Sequence, residues 1–238
     1  MTSTYFINRL WTYAPLSWAL IRTQECELLS QQKFKHQMLE VGCGDGLVSS
    51  IVFKKHKNSI DLGIDLDSEE LRQAKKTGVY RRLLVVDITN CGLKSKSYNT
   101  IFANGVLDHI PNLDAAISEI SRLLKPGGVL ITTSPTNNYA RLLFYYRLFQ
   151  KIGLKGLAIN YGRLINRVFA HIHQLTQKQW VDMCNKHGMF TQQIVYYNNS
   201  TLIALHDLLL PFMVADKYMK RKIDSMVLFP KARFTLFS

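Results

Sequence analysis

The sequence predicts an α/β fold, a mostly parallel sheet with helices on both faces. Two observations carry that expectation. Between residues 37 and 134 short apolar runs alternate with amphipathic stretches of helical length, the pattern of strand–helix–strand units. The first apolar run ends in Gly42-Cys43-Gly44-Asp45-Gly46, and a helical pattern follows at once. Glycines there allow a tight turn and a close approach of backbone to a ligand, and the following helix N-terminus favours an anionic group.

The elements follow in order. Gln37–Val41 reads as a strand, Leu47–Lys55 as a helix, Ile60–Ile64 as a second strand and Ser68–Lys76 as a helix. Asp67 is placed to cap that helix. Leu83–Val86 and Thr100–Ala103 read as the third and fourth strands. Leu113, Ala116, Ile117, Ile120, Leu123 and Leu124 recur close to helical period, so 112–124 reads as a helix, stopped by Pro126-Gly127-Gly128 before a fifth strand at Val129–Thr133. Beyond Pro135 the chain turns aromatic, basic and helical as far as Ala170; a helix at Gln177–Lys186 follows. Gln192–Tyr197 and Ala232–Phe237 are two further strand candidates, and Ala204–Lys222 is a second helical insertion.

The length of 238 residues suits one domain with insertions. We divide it into an N-terminal helical cover (1–35), a cofactor-binding core (36–135), a helical lid (136–175) and a C-terminal part of the core (176–238). Cys26, Cys43, Cys91 and Cys184 have no C-x-x-C spacing, which argues against a disulfide framework or a zinc site and for a reducing compartment, the cytoplasm. No signal peptide is read at the N-terminus, because Arg9 and Pro15 interrupt its apolar patches.

The chain carries 30 Lys and Arg against 17 Asp and Glu, a net charge of +13. The excess is concentrated. Between Ile120 and Trp180 there is no acidic residue, while Arg122, Lys125, Arg141, Arg147, Lys151, Lys155, Arg163, Arg167 and Lys178 all fall there. Such a field favours anionic partners.

The glycine loop admits two ligands. A dinucleotide site wants a glycine where Leu47 stands. Here the third glycine comes one residue early, at Gly46. With Glu40 ahead of it, the loop resembles the first motif of class I S-adenosylmethionine-dependent methyltransferases. Later elements match that family in order: Gly63-Ile64-Asp65, Val86-Asp87-Ile88, Asn104-Gly105 with Val106 to Ile110, and Leu124-Lys125-Pro126-Gly127-Gly128. The nearest group is that of ubiquinone/menaquinone C-methyltransferases and small-molecule methyltransferases of natural products. Tyr98-Asn99 departs from it, standing where that group has Phe-Asp.

The resemblance covers about residues 36–134. It implies a Rossmann-like, mostly parallel, seven-stranded sheet with a helical insertion after the fifth strand, and S-adenosyl-L-methionine as the cofactor. It also implies the cofactor contacts. Glu40 lies near the ammonium group, and Gly42, Cys43, Gly44 and Gly46 give the close backbone. Asp65, followed by Leu66, takes the ribose hydroxyls. Asp87 and the Ile88 N–H face the adenine, and Asn104 and Gly105 lie along the methionine part. Cys43 is a small side chain in a tight loop and not a nucleophile.

Methyl transfer requires alignment, exclusion of water and, for a hydroxyl or acidic carbon, a base. His109, after the fourth strand, is the first base candidate. His171 and His173, before the Gln177–Lys186 helix, are the next, and Tyr13 is a weaker one. The competing reading makes each of them a packing or loop residue. No metal is required.

Tyr139, Phe144, Tyr145, Tyr146 and Phe149, interleaved with Arg141 and Arg147, suit a lid over a small, lipophilic or aromatic acceptor. They also suit peripheral contact with an anionic membrane. Nucleic acid is disfavoured as a partner because no RNA-binding module accompanies the core. An RNA methyltransferase and a non-catalytic binding protein that kept the fold are the alternatives.

Overall fold

A computed structural model describes residues 3–54 and 60–219. In chain order the helices are α1 (Ser3–Trp11), α2 (Leu16–Ser30), α3 (Leu47–Lys54), α4 (Ser68–Thr77), α5 (Leu113–Leu123), α6 (Tyr139–Leu142), α7 (Phe144–Lys151), α8 (Lys155–Val168), α9 (Gln177–Lys186) and α10 (Ser200–Met219). The strands are β1 (Met38–Val41), β2 (Leu62–Asp65), β3 (Leu83–Val85), β4 (Tyr98–Asn104) and β5 (Leu124–Thr133). The chain divides into two compact units. One is Gln32–Asn137 with Asn166–Val195; the other takes the described residues of Met1–Gln31, Asn138–Ile165 and Tyr196–Ser238.

The first unit is built on a sheet in the order β3-β2-β1-β4-β5, with every pairing parallel. Strand order reverses between β1 and β4, which opens a crevice at their carboxyl ends. One face of the sheet is covered by α5. Its Leu113, Ala116, Ile117, Ile120 and Leu123 are all buried against Leu39, Val41, Ile64, Ile101 and Ala103 of the strands. Each buried leucine, isoleucine or valine among them contributes roughly 1.5–3 kcal/mol. Elsewhere in the unit Phe34, Phe53 and Phe102 meet edge to face.

Local signals set the helix ends. Asp67 accepts from the Glu69 and Glu70 N–H groups at 2.7 and 3.3 Å, and Gly78 closes α4 in the left-handed conformation. Asn112 caps α5 through Ala115 N–H. Thr176 and Gln179 form a reciprocal capping box on α9.

Three expectations need correction. The sheet has five strands among the described residues, not seven. Gln192–Tyr197 is irregular. Ile194, Val195 and Tyr196 are exposed, and alternation alone does not make a strand where no neighbouring strand supplies a ladder. Ala232–Phe237 lies outside the described residues, as do Lys220 to Lys222 at the end of the second insertion. Pro126-Gly127-Gly128 does not separate helix from strand. β5 already begins at Leu124, with a register shift against β4 between Tyr98 and Thr100. Proline is tolerated there because β5 is an edge of this sheet.

The second unit is helical. Within it the fully buried Asp207 of α10 accepts from the Tyr145 N–H at 3.0 Å and from Tyr161 Oη at 2.5 Å. One carboxylate thus caps α7 and anchors α8. Arg22 donates to both carboxylate oxygens of the buried Glu25 at 2.7 and 3.0 Å and lies over the Trp18 ring.

Candidate cofactor and active site

The chain leaves β1 through three residues in the left-handed region, Gly42, Gly44 and Gly46. At Gly42 the packing is as restrictive as the backbone. A Cβ there would stand 2.1 Å from Val106 Cγ2, so only glycine lets the loop after β4 close on the loop after β1. Gly44 differs, because its Cβ direction meets nothing nearer than Glu70 Oε2 at 3.9 Å. That is the open side of the turn, where a ligand has access to backbone.

Consecutive strand ends supply the acids. Asp65, last in β2, accepts from Gly44 N–H at 2.8 Å and from Asp67 N–H at 3.0 Å. Leu66 beside it is 67% exposed. Asp87 is exposed and uses one oxygen to accept from Thr89 N–H at 2.8 Å. Ile88, by contrast, points into the core. Asn104 accepts from Thr133 Oγ1 at 2.6 Å, and the Gly105 N–H donates to the Thr133 carbonyl at 3.2 Å. These bonds fix the turn that carries Val106 to Gly42.

Glu40 is buried in β1, and both its oxygens are engaged. Ser49 Oγ donates to one at 2.6 Å and Tyr80 Oη to the other at 2.9 Å. Burial pushes its carboxyl up to about 8, against the pull of those two hydroxyls. Cys43 is likewise buried, which pushes its thiol up and leaves it unreactive. Tyr80 was not singled out from the sequence. Its ring fills the space beside both Gly46 and Gly63, at 2.7 and 2.8 Å from a Cβ added to either. A lone tyrosine after a helix carries no signal of this.

Two of the three histidines, His109 and His171, come together. His109 Nδ1 donates to the Ala170 carbonyl at 2.8 Å, which leaves Nε2 3.6 Å from Oδ2 of the fully buried Asp108. The Asp108 carbonyl in turn accepts from the N–H groups of Ile172 and His173, both at 3.0 Å. His171 stacks on Phe169 and lies 5.8 Å from the His109 ring. Burial, with His109 close by, lowers His171 to about 4 and keeps it neutral. His173 Nε2 donates to the Ile110 carbonyl at 2.9 Å. Tyr13 belongs to the helical unit and is exposed. Among the described residues no three His, Cys, Asp or Glu side chains are grouped to hold a metal.

The family model described as "Methyltransferase domain" matches residues 39–132. The chain is similar to methyltransferases over that stretch. Its residues 39–132 are 94 of 238, from β1 to the end of β5. Over 115 residues it is 30% identical to the ubiquinone biosynthesis O-methyltransferase of Dechloromonas aromatica, covering 45% of this chain and 48% of that protein. Over 97 residues it is 29% identical to the malonyl-[acyl-carrier protein] O-methyltransferase of Hamiltonella defensa, covering 41% and 37%. The chain thus spans less than half the length of these two relatives. The crystal structure of a SAM-dependent methyltransferase from Thermotoga maritima superposes with a TM-score of 0.54 at 21% identity, over 73% of this chain and 72% of that one. The shared fold is a Rossmann-like parallel sheet with helices around it.

Proposed function

We propose that the protein transfers a methyl group from S-adenosylmethionine to a small lipophilic or aromatic acceptor. One observation carries the donor. An open glycine turn at the β1/β4 switch point is tied to the acid that ends β2, and a second exposed acid follows β3. The residues fit the donor. Gly44 offers unobstructed backbone, Asp65 and Asp87 are acceptors for ribose and adenine, and the exposed Leu66 is free to pack on the purine. Glu40, neutral while buried with two hydroxyls, gains a reason to ionise if an ammonium approaches.

Bound S-adenosylmethionine supplies an electrophilic methyl group with a neutral thioether as its leaving group. What remains for the protein is to align the acceptor, exclude water and take a proton. In this reading His109 is the base. Its Nδ1–H is fixed by the Ala170 carbonyl, so Nε2 is the nitrogen left to take a proton. The same carbonyl holds the ring, and His171 lies 5.8 Å from it. The relative named for ubiquinone biosynthesis supports an apolar acceptor. Such an acceptor would bring a cytoplasmic enzyme to a membrane surface.

Calorimetric titration with S-adenosylmethionine tests the donor, and transfer of labelled methyl to a panel of phenolic and prenylated acceptors tests the rest. Absence of binding overturns the donor assignment. Binding without transfer to any apolar acceptor overturns the acceptor class. His109→Ala should keep cofactor affinity and lose turnover; normal turnover would place the base elsewhere.

A further inference from the structure

The turn from α7 into α8 exposes what a soluble surface ordinarily covers. Every residue from Lys151 to Leu157 is exposed. Ile152, Leu154 and Leu157 are 57%, 49% and 48% accessible. They sit within Lys151-Ile152-Gly153-Leu154-Lys155-Gly156-Leu157. Gly153 reverses the chain at φ +83, and a Cβ at Gly153 or Gly156 would meet nothing within 4 Å. Three branched aliphatic side chains thus stand on a tip with Lys155 among them and Lys151 just ahead, and Arg147 precedes them on α7.

We propose that this tip docks the protein on an anionic lipid bilayer, its aliphatic side chains entering the headgroup–acyl boundary and its lysines reaching back to lipid phosphates. Charge complementarity selects the occupant, because no acidic residue lies between Ile120 and Trp180 to repel such a surface. Side-chain chemistry selects lipid over single-stranded nucleic acid. Base stacking needs exposed rings, and the rings here are engaged with one another, Tyr145 and Phe149 each against Tyr161. The tip presents aliphatic carbon, which enters lipid but does not stack. Lysine stems bury beside it while their ammonium groups stay hydrated.

The inference extends the lipophilic-acceptor reading above, yet its test reads lipid binding alone and is separable from methyl transfer. The full chain is sedimented with vesicles of phosphatidylcholine, with and without 30% phosphatidylglycerol (~30%, a strongly anionic surface). Expected is binding to the anionic vesicles that falls as salt rises, and little binding to phosphatidylcholine. Ile152→Asp with Leu154→Asp, and separately Lys151→Glu with Lys155→Glu, should each lower the partition coefficient at least about tenfold. All four residues are exposed, and unchanged S-adenosylmethionine titration and circular dichroism would report an intact fold. No binding to anionic vesicles at low salt overturns the proposal. So does binding that survives both pairs of substitutions, or competition by polyuridylate that removes the lipid dependence.

Discussion

Asp65 Oδ2 accepts the backbone N–H of Gly44 at 2.8 Å, so the end of β2 holds the loop that leaves β1. Asp65→Ala should weaken S-adenosylmethionine binding at least about tenfold, roughly 1.4 kcal/mol, with the fold retained. Calorimetry beside a thermal melt measures both. Asp65→Asn should fall between, since an amide oxygen still accepts from Gly44 but its nitrogen cannot accept from a hydroxyl. Undiminished binding in Asp65→Ala would remove Asp65 from the site.

Gly42→Ala adds a methyl 2.1 Å from Val106 Cγ2 at a φ of +64. Overpacking costs about 1–3 kcal/mol, and the left-handed backbone costs about 1–2 kcal/mol more. The urea midpoint should drop accordingly. Adding Val106→Ala should restore part of the steric share and none of the backbone share.

Glu40 makes stability depend on pH in an uncommon direction. Burial raises its folded carboxyl from 4.5 to about 8, so between these values the native state holds a proton that the unfolded chain has lost. Its contribution is complete below about pH 4.5 and fades as pH rises towards 8. Glu40→Gln should flatten the stability profile across that window. If a ligand ammonium ionises Glu40, cofactor binding at pH 7 should also release protons, visible as a binding enthalpy that varies with the buffer's ionisation heat. Equal enthalpies in phosphate and Tris would separate Glu40 from the ammonium.

In the helical unit Asp207→Ala removes the acceptor for both Tyr145 N–H and Tyr161 Oη. Leaving the two half-buried donors unpaired costs up to about 1–3 kcal/mol. Tyr161→Phe removes one bond only and should cost less. A denaturation midpoint unchanged in Asp207→Ala would show that these bonds contribute little.

Much of the α/β unit was legible because its signals are local. The Asp67 cap and the apolar stripe of α5 are each written within a few residues. Sheet edges were less so. Gln192–Tyr197 alternates like a strand, but a strand is a property of two segments, and alternation does not reveal a missing partner. Pro126-Gly127-Gly128 reads as a stop signal, yet an edge strand with a register shift accommodates the same residues. Within the site, Asp65 was named for its place after β2, but its bond to Gly44 was not foreseen. The nearness of His109 to His171 depends on the Ala170 carbonyl, and no spacing encodes that.

Tyr80 has a consequence for how this domain can change over time. One ring excludes a side chain from two separate glycines, Gly46 and Gly63, and its hydroxyl also holds Glu40. The three positions are therefore bound into a single heritable unit. A descendant with alanine at Gly63 should carry smaller residues in place of both Tyr80 and Leu83, whose Cδ2 stands 2.9 Å from the added carbon, and an alignment of relatives should show the substitutions arriving together.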